Sequence, residues 1–162
     1  ENKFDVEGRK AWQRIESLDK RVAMQVWSAI SHFNEILGFY GLSYWYTWQV
    51  SILGLGPIWM SKNEEVKHLA ARHLQEGGIF GFGLSEKAHG ADIYSTDMKM
   101  SPDGKGGYKA TGSKYYIGNG NAAALVSTFG KLTDTDEYVF FATRTQHENY
   151  HCDLVCRQES NS

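Results

Sequence analysis

Between residues 36 and 61 the chain carries no Asp, Glu, Lys or Arg. A charge-free stretch of that length belongs either in a bilayer or against other apolar surface. Ser43, Thr47, Gln49 and Ser51 are scattered through it, and Gly54, Gly56 and Pro57 crowd its end. The polar residues and helix breakers argue against a transmembrane span and predict a buried helix of a bundle, ending at Gly-Leu-Gly-Pro. The aromatic run Tyr44, Trp45, Tyr46 and Trp48 reads as core or interface rather than a ligand cage.

The flanking sequence is helical too. From Asp19 the apolar positions Val22, Val26, Ile30, Phe33 and Leu37 recur at steps of three and four, with Gly38 and Gly41 as stop signals. Ser61-Lys62-Asn63-Glu64 has the form of a capping box, followed by one face made of Val66, Leu69, Ala70, His73 and Leu74, with Gly77 as terminator. A shorter helix is expected around residues 10–16.

The pattern changes at Gly77-Gly78. Residues 79–85, 97–100 and 108–110 read as strands, the last two joined by the turn-rich Pro102-Asp103-Gly104-Lys105-Gly106-Gly107 into a hairpin. Residues 114–117, 125–129 and 138–143 supply three more. Helices first and short strands after give an α+β class: an N-terminal helical bundle followed by an incomplete antiparallel barrel or sandwich. The expected organisation is 1–77 helical, 78–143 β, and 144–162 a truncated or irregular tail.

Seventeen basic and nineteen acidic residues leave a net charge of −2, which speaks against a nucleic-acid binder. Two cysteines cannot form a disulfide framework, and no signal peptide is visible, so a reducing, cytoplasmic location is expected.

Two segments hold residues suited to chemistry. In Phe82-Gly83-Leu84-Ser85-Glu86-Lys87-Ala88-His89-Gly90-Ala91-Asp92 a strand runs into small residues bounded by two acids. Such a loop is either a surface connection with two satisfied carboxylates or a cradle whose N–H groups face an anion. In Gly112-Ser113-Lys114-Tyr115-Tyr116-Ile117-Gly118-Asn119-Gly120 an aromatic stretch ends in Gly-Asn-Gly. It is either a tight turn at a barrel corner or a rest for a flat ring stacked on Tyr116 beside Gly118.

Taken in order, these segments resemble the acyl-coenzyme A dehydrogenase family. That family's pattern is aromatic-x-x-Thr-Glu-Pro-x-x-Gly-Ser-Asp, a Gly-Gly-Tyr hairpin, then Gly-x-Lys-x-Trp-Ile-Thr-Asn-Gly. Here they read Phe82 through Asp92, Gly106-Gly107-Tyr108, and Gly112 through Gly120. Leu53-Gly54-Leu55-Gly56-Pro57-Ile58 and Leu74-Gln75-Glu76-Gly77 also resemble it, and the wording is most like bacterial long-chain members. Lys87, Ala91 and Gly118 stand where the pattern has Pro, Ser and Thr.

The resemblance implies FAD held by Phe82, Leu84, Ser85, Gly90, Ala91, Tyr116, Ile117 and Gly118, with the acyl-CoA substrate near Ala91. It implies α,β-dehydrogenation of fatty acyl-CoA thioesters to trans-2-enoyl-CoA, with electrons passing to an electron-transfer flavoprotein or another acceptor, and a homo-oligomer. The family's catalytic Glu usually lies on a C-terminal helical domain, so no residue here is assigned as catalytic and this fragment alone is expected to be inactive. The alternatives are an acyl-CoA oxidase or flavin monooxygenase of the same fold, or a binding module that has lost the chemistry. His147, His151, Cys152 and Cys156 have zinc-ligand types, and the His pair suits one helix face, but the four are too crowded for a tetrahedral framework, so no metal is assigned.

Overall fold

The computed structural model describes residues 20–152. The chain divides between Tyr46 and Thr47 into two compact units. The helix expected around residues 10–16 lies outside the described residues, as does Cys156.

The first unit is built on helix α1, Lys20–Tyr40. It runs through Gly38 and closes at Gly41, whose N–H donates to the Leu37 carbonyl at 3.0 Å. Trp45, from the aromatic run, donates its indole N–H to Asn34 Oδ1 at 2.9 Å, while Tyr44 and Tyr46 are exposed.

Helix α2, Leu42–Met60, contains the boundary between the units. It does not end at Gly-Leu-Gly-Pro but continues through Pro57, although Pro57 has no N–H to donate. Packing overrides the local preference: Val50, Gly54 and Ile58, spaced by four, form a buried stripe. Gly54 is a contact residue, because a Cβ there would lie 2.4 Å from the Gly81 carbonyl oxygen. The helix is not buried all round as expected; Ile52, Leu53, Trp59 and Met60 are exposed.

Helix α3 spans Glu64–Gln75. Its cap is Asn63, not Ser61: Asn63 Oδ1 accepts from the Val66 N–H at 3.1 Å, and Ser61 donates back to the Ile58 carbonyl at 2.8 Å. The end is a Schellman closure, with Gly78 N–H to His73 O (2.7 Å), Gly77 N–H to Leu74 O (3.1 Å), and Gly77 at φ +79°. Ala70 joins Ile58, Phe80 and Leu125 in the core, with Leu55, Val66 and Leu69 packed around them. Among the described residues no helix is long and apolar enough to cross a membrane.

Among the described residues five strands form one open sheet: β1 (Phe80–Gly83), β2 (Lys99–Pro102), β3 (Tyr108–Thr111), β4 (Leu125–Leu132) and β5 (Tyr138–Arg144). The α+β class is as expected, but the sheet is mixed rather than antiparallel. The hairpins β2–β3 and β4–β5 are antiparallel, whereas β1 and β2 both run parallel to β4. The reason is register. β1 pairs with Leu125 through Thr128, and β2 pairs further along the same edge with Lys131 and Leu132. The chain leaves that edge after Gly83 and rejoins it at Lys99, so the two strands point the same way, and residues 84–98 form an excursion between them. The strand expected at 114–117 is absent. Gly112 (φ +152°) just before it and Tyr116 (φ +59°) within it both depart from extended backbone.

Candidate functional site

The site is built where β1 ends. Its strip, 80–85, lies against 114–119 with opposite chain direction. Asn119 Nδ2 donates to the Phe80 carbonyl at 3.0 Å at one end. At the other, the Tyr115 N–H donates to the Ser85 carbonyl at 2.9 Å, and the Ser85 hydroxyl donates to the Tyr115 carbonyl at 2.7 Å. Gly81 faces the second strip closely: a Cβ there would lie 3.1 Å from a Val126 methyl and 3.4 Å from the Gly118 carbonyl oxygen. The two segments singled out in the sequence are therefore one seam.

Most of the expected cofactor residues meet here. Phe82 is half-buried and stacked on Phe140, centroids 5.6 Å apart. Leu84 and Ser85 are half-buried on the same strip, and Ile117 and Gly118 on the other. Tyr116 is 85% exposed and left-handed, a conformation rare for an aromatic residue and costing about 1 kcal/mol or more. Its ring meets Tyr115 edge-on at 4.4 Å. Gly90 and Ala91 are exposed in the turn of the excursion. Their backbone bonds stay within it, Gly90 N–H to Glu86 O and Ile93 N–H to Ala91 O.

The excursion is tied shut by buried polar groups. Glu86 accepts from the Thr96 hydroxyl, from the Asp97 N–H at 2.8 Å, and from Lys114 Nζ at 2.5 Å. Burial raises the Glu86 pKa, but the bonds from Lys114, Thr96 and Asp97 outweigh it and bring the carboxyl down to about 2. His89 joins this cluster: its Nε2 lies 2.8 Å from Asp97 Oδ2 and 3.9 Å from Glu86 Oε2. Asp92 accepts from Ser95 at 2.6 Å.

Glu86, His89 and Asp97 have the side chains of a metal site, yet Lys114 already supplies the positive charge against Glu86. The tail residues give no helix face for a His pair, because residues 145–149 form turns, and Cys152 is exposed. Instead the tail bonds the turn that follows the second strip: Thr145 donates to the Ala123 carbonyl at 2.5 Å and Tyr150 to the Gly120 carbonyl at 2.7 Å. Burial pushes the Tyr150 phenol upward.

Solved structures share this architecture. A glutaryl-CoA dehydrogenase from Mycobacterium smegmatis in complex with FADH2 matches with TM-score 0.61 and 22% identity, over 73% of this chain and 31% of that one. Butyryl-CoA dehydrogenase from Megasphaera elsdenii matches at 0.58 and 24%, over 64% and 28%. An acyl-CoA dehydrogenase complexed with FAD from Bacillus anthracis matches at 0.59 and 21%, over 65% and 18%. This chain has the acyl-CoA dehydrogenase fold. It spans under a third of the length of each of these structures. No protein-family model matches the sequence, and no curated protein does.

Within the acyl-CoA dehydrogenase fold, sequence reasoning missed the residues that hold the seam from behind. Asn119 Nδ2 also donates to the Thr47 carbonyl at 3.0 Å, with Ser51 Oγ at 3.4 Å. Ser51 in turn donates to Thr47 O and accepts from the Phe80 N–H. Thr47 and Ser51, hydroxyl residues four apart in a helix without charges, were the available signal. Lys114 and Thr96 carried none, since nothing in a sequence marks which lysine is buried.

Proposed function

We propose that this chain forms the flavin-binding face of a flavin-dependent acyl-CoA dehydrogenase, with FAD as cofactor and fatty acyl-CoA thioesters as the substrate class. One observation carries the reading: segments 30 residues apart in sequence are bonded side by side, and a left-handed, exposed Tyr116 is held at their junction. Backbone strain that buries nothing points to a ligand contact. The lining suits a flat ring, because Phe82, Leu84, Tyr116, Ile117 and Gly118 give aromatic, aliphatic and side-chain-free surface without a charge.

Phe82, Leu84 and Ser85 would hold the flavin from one strip and Tyr116, Ile117 and Gly118 from the other. Gly90 and Ala91, which project no more than a methyl group, leave room for its phosphates and for the thioester. When bound, FAD supplies the hydride acceptor that no side chain provides. The protein's part is position and a dry, weakly screening wall, which strengthens polar contacts to the thioester carbonyl and favours loss of the α proton. Glu86 is not the base for that proton: buried, triply bonded and with its pKa at about 2, it has little proton affinity. The reaction yields a trans-2-enoyl thioester, electrons pass to an electron-transfer flavoprotein or another acceptor, and the whole enzyme is an oligomer.

Titration of the purified chain with FAD tests this. Saturable quenching of flavin fluorescence at one equivalent is the expected result. Flavin that remains as fluorescent as in buffer overturns the proposal. In a protein that also carries the base, a long acyl-CoA bleaches the flavin without oxygen, and fast recovery in air marks an oxidase instead.

A further inference from the structure

Two buried charges sit behind the seam. Lys114 Nζ and Glu86 Oε1 are 2.5 Å apart, their side chains 7% and 5% exposed. Lys114 belongs to the second strip, whereas Glu86 opens the excursion that follows the first. The same ammonium donates to the Leu84 carbonyl at 3.1 Å and to Thr96 Oγ1 at 3.3 Å. Glu86 reaches across to Thr96 and Asp97, at the far end of the excursion. One carboxylate and one ammonium therefore touch both strips and both ends of residues 84–98.

Stability alone gives little reason to keep such a pair. Desolvating two charges is costly, and apolar residues of similar volume serve a core as well or better. What a charged pair supplies is direction: a hydrogen-bonding head with several acceptors fixes where each backbone segment sits. Leu84 O, held by Lys114, is adjacent to Ser85, and Tyr115, which bonds Ser85 twice, is adjacent to Lys114.

We infer that Lys114 and Glu86 are positioning residues for the flavin ledge: the pair sets the spacing of Leu84-Ser85 against Tyr115-Tyr116 and thereby holds Tyr116 in its left-handed conformation. The ligand named here rests on the flavin reading. The geometry does not, so two readouts separate them.

Lys114→Met and Glu86→Gln keep length and shape while removing one charge each. Amide hydrogen exchange at Tyr115 reports the seam directly, and FAD quenching reports the ledge. Each variant is expected to speed exchange at Tyr115 at least tenfold, leave the central β4 amides unchanged, and weaken FAD binding at least tenfold. Ile58→Ala, which loosens the core beneath the sheet, lowers the Tm without moving either readout. A purely structural role for the pair would instead make all three variants behave alike. Thr96→Val leaves both charges in place and shifts both readouts the same way by a smaller factor, which keeps the test available if a charge variant fails to fold. Unchanged Tyr115 exchange and unchanged FAD affinity overturn the positioning role. Wild-type protein that takes up no FAD overturns the flavin reading, and with it the ligand assigned to the ledge.

Discussion

Replacing Gly54 by Ala tests the contact on which α2 seats against the sheet. An added Cβ would lie 2.4 Å from the Gly81 carbonyl oxygen, 2.9 Å from its carbonyl carbon and 3.1 Å from its nitrogen. All three neighbours are backbone, so no rotamer change relieves the overlap, and helix and strand must part by several tenths of an ångström. Overpacking of this kind costs about 1–3 kcal/mol, and a backbone-on-backbone clash belongs at about 3. Alanine returns about 1 kcal/mol through its better helix propensity. The net loss is about 2 kcal/mol, or about 4–8 °C in Tm for a chain of this size. The separation also stretches the 2.5 Å bond from the Ser127 hydroxyl to the Gly54 carbonyl, so the loss is a lower bound. Gly38→Ala is the matched control, because nothing lies within 4 Å of its Cβ position, and it gains about 0.5–1 kcal/mol. Urea and thermal melts followed by circular dichroism measure both. A Gly54→Ala protein as stable as wild type, or more so, refutes the close-approach account of α2.

Three further outcomes follow from the seam and its support. Because the Glu86 carboxyl sits at about 2 rather than 4.5, its stabilisation is complete above 4.5 and is lost as pH falls from there towards 2; Glu86→Gln flattens the stability curve over that interval, and melts at stepped pH read the slope. Tyr116→Gly removes the left-handed strain of a mostly exposed side chain, so the protein is as stable as wild type or gains about 1 kcal/mol, yet FAD quenching weakens; a variant that binds FAD fully ends the stacking role of Tyr116. Asn119→Ala leaves the carbonyls of Thr47 and Phe80 without their shared donor and puts alanine at φ +60°, for a loss of about 2–4 kcal/mol in urea melts, whereas Asn119→Gly loses less because it tolerates the angle.

Much of this was legible because local signals and packing agreed. The apolar spacing of α1, the Gly77 closure and the β2–β3 turn chemistry each depend on neighbours in sequence, and each formed where expected. The signals that misled were those whose meaning is set by a distant contact. Gly54 and Pro57 look like breakers, yet Gly54 is required by Gly81 and the helix runs on. Ser61 completes a capping pattern, but the side chain that accepts from the Val66 N–H is Asn63. The segment 114–117 has strand composition, and the positive φ values of Gly112 and Tyr116 break it. At the site, the two strips were visible as motifs, while Lys114, Thr96, Thr47 and Ser51 were not, because their roles consist of bonds to backbone carbonyls and carboxylates far along the chain.

The excursion 84–98 stands on two feet placed on a single rail: Gly83 opposite Thr128, Lys99 opposite Lys131. Each foot is fixed by its own ladder bonds, and Met98 is clipped down over Gly130, its carbonyl taking the Lys131 N–H. The exposed turn between them, which holds Lys87 and Ala91, carries no strand. Substitutions there, such as Lys87 and Ala91 in this chain, can accumulate without any strand having to move. A scaffold arranged this way lets the chemistry of the ledge diverge while the architecture persists, consistent with architecture shared at only 22% identity.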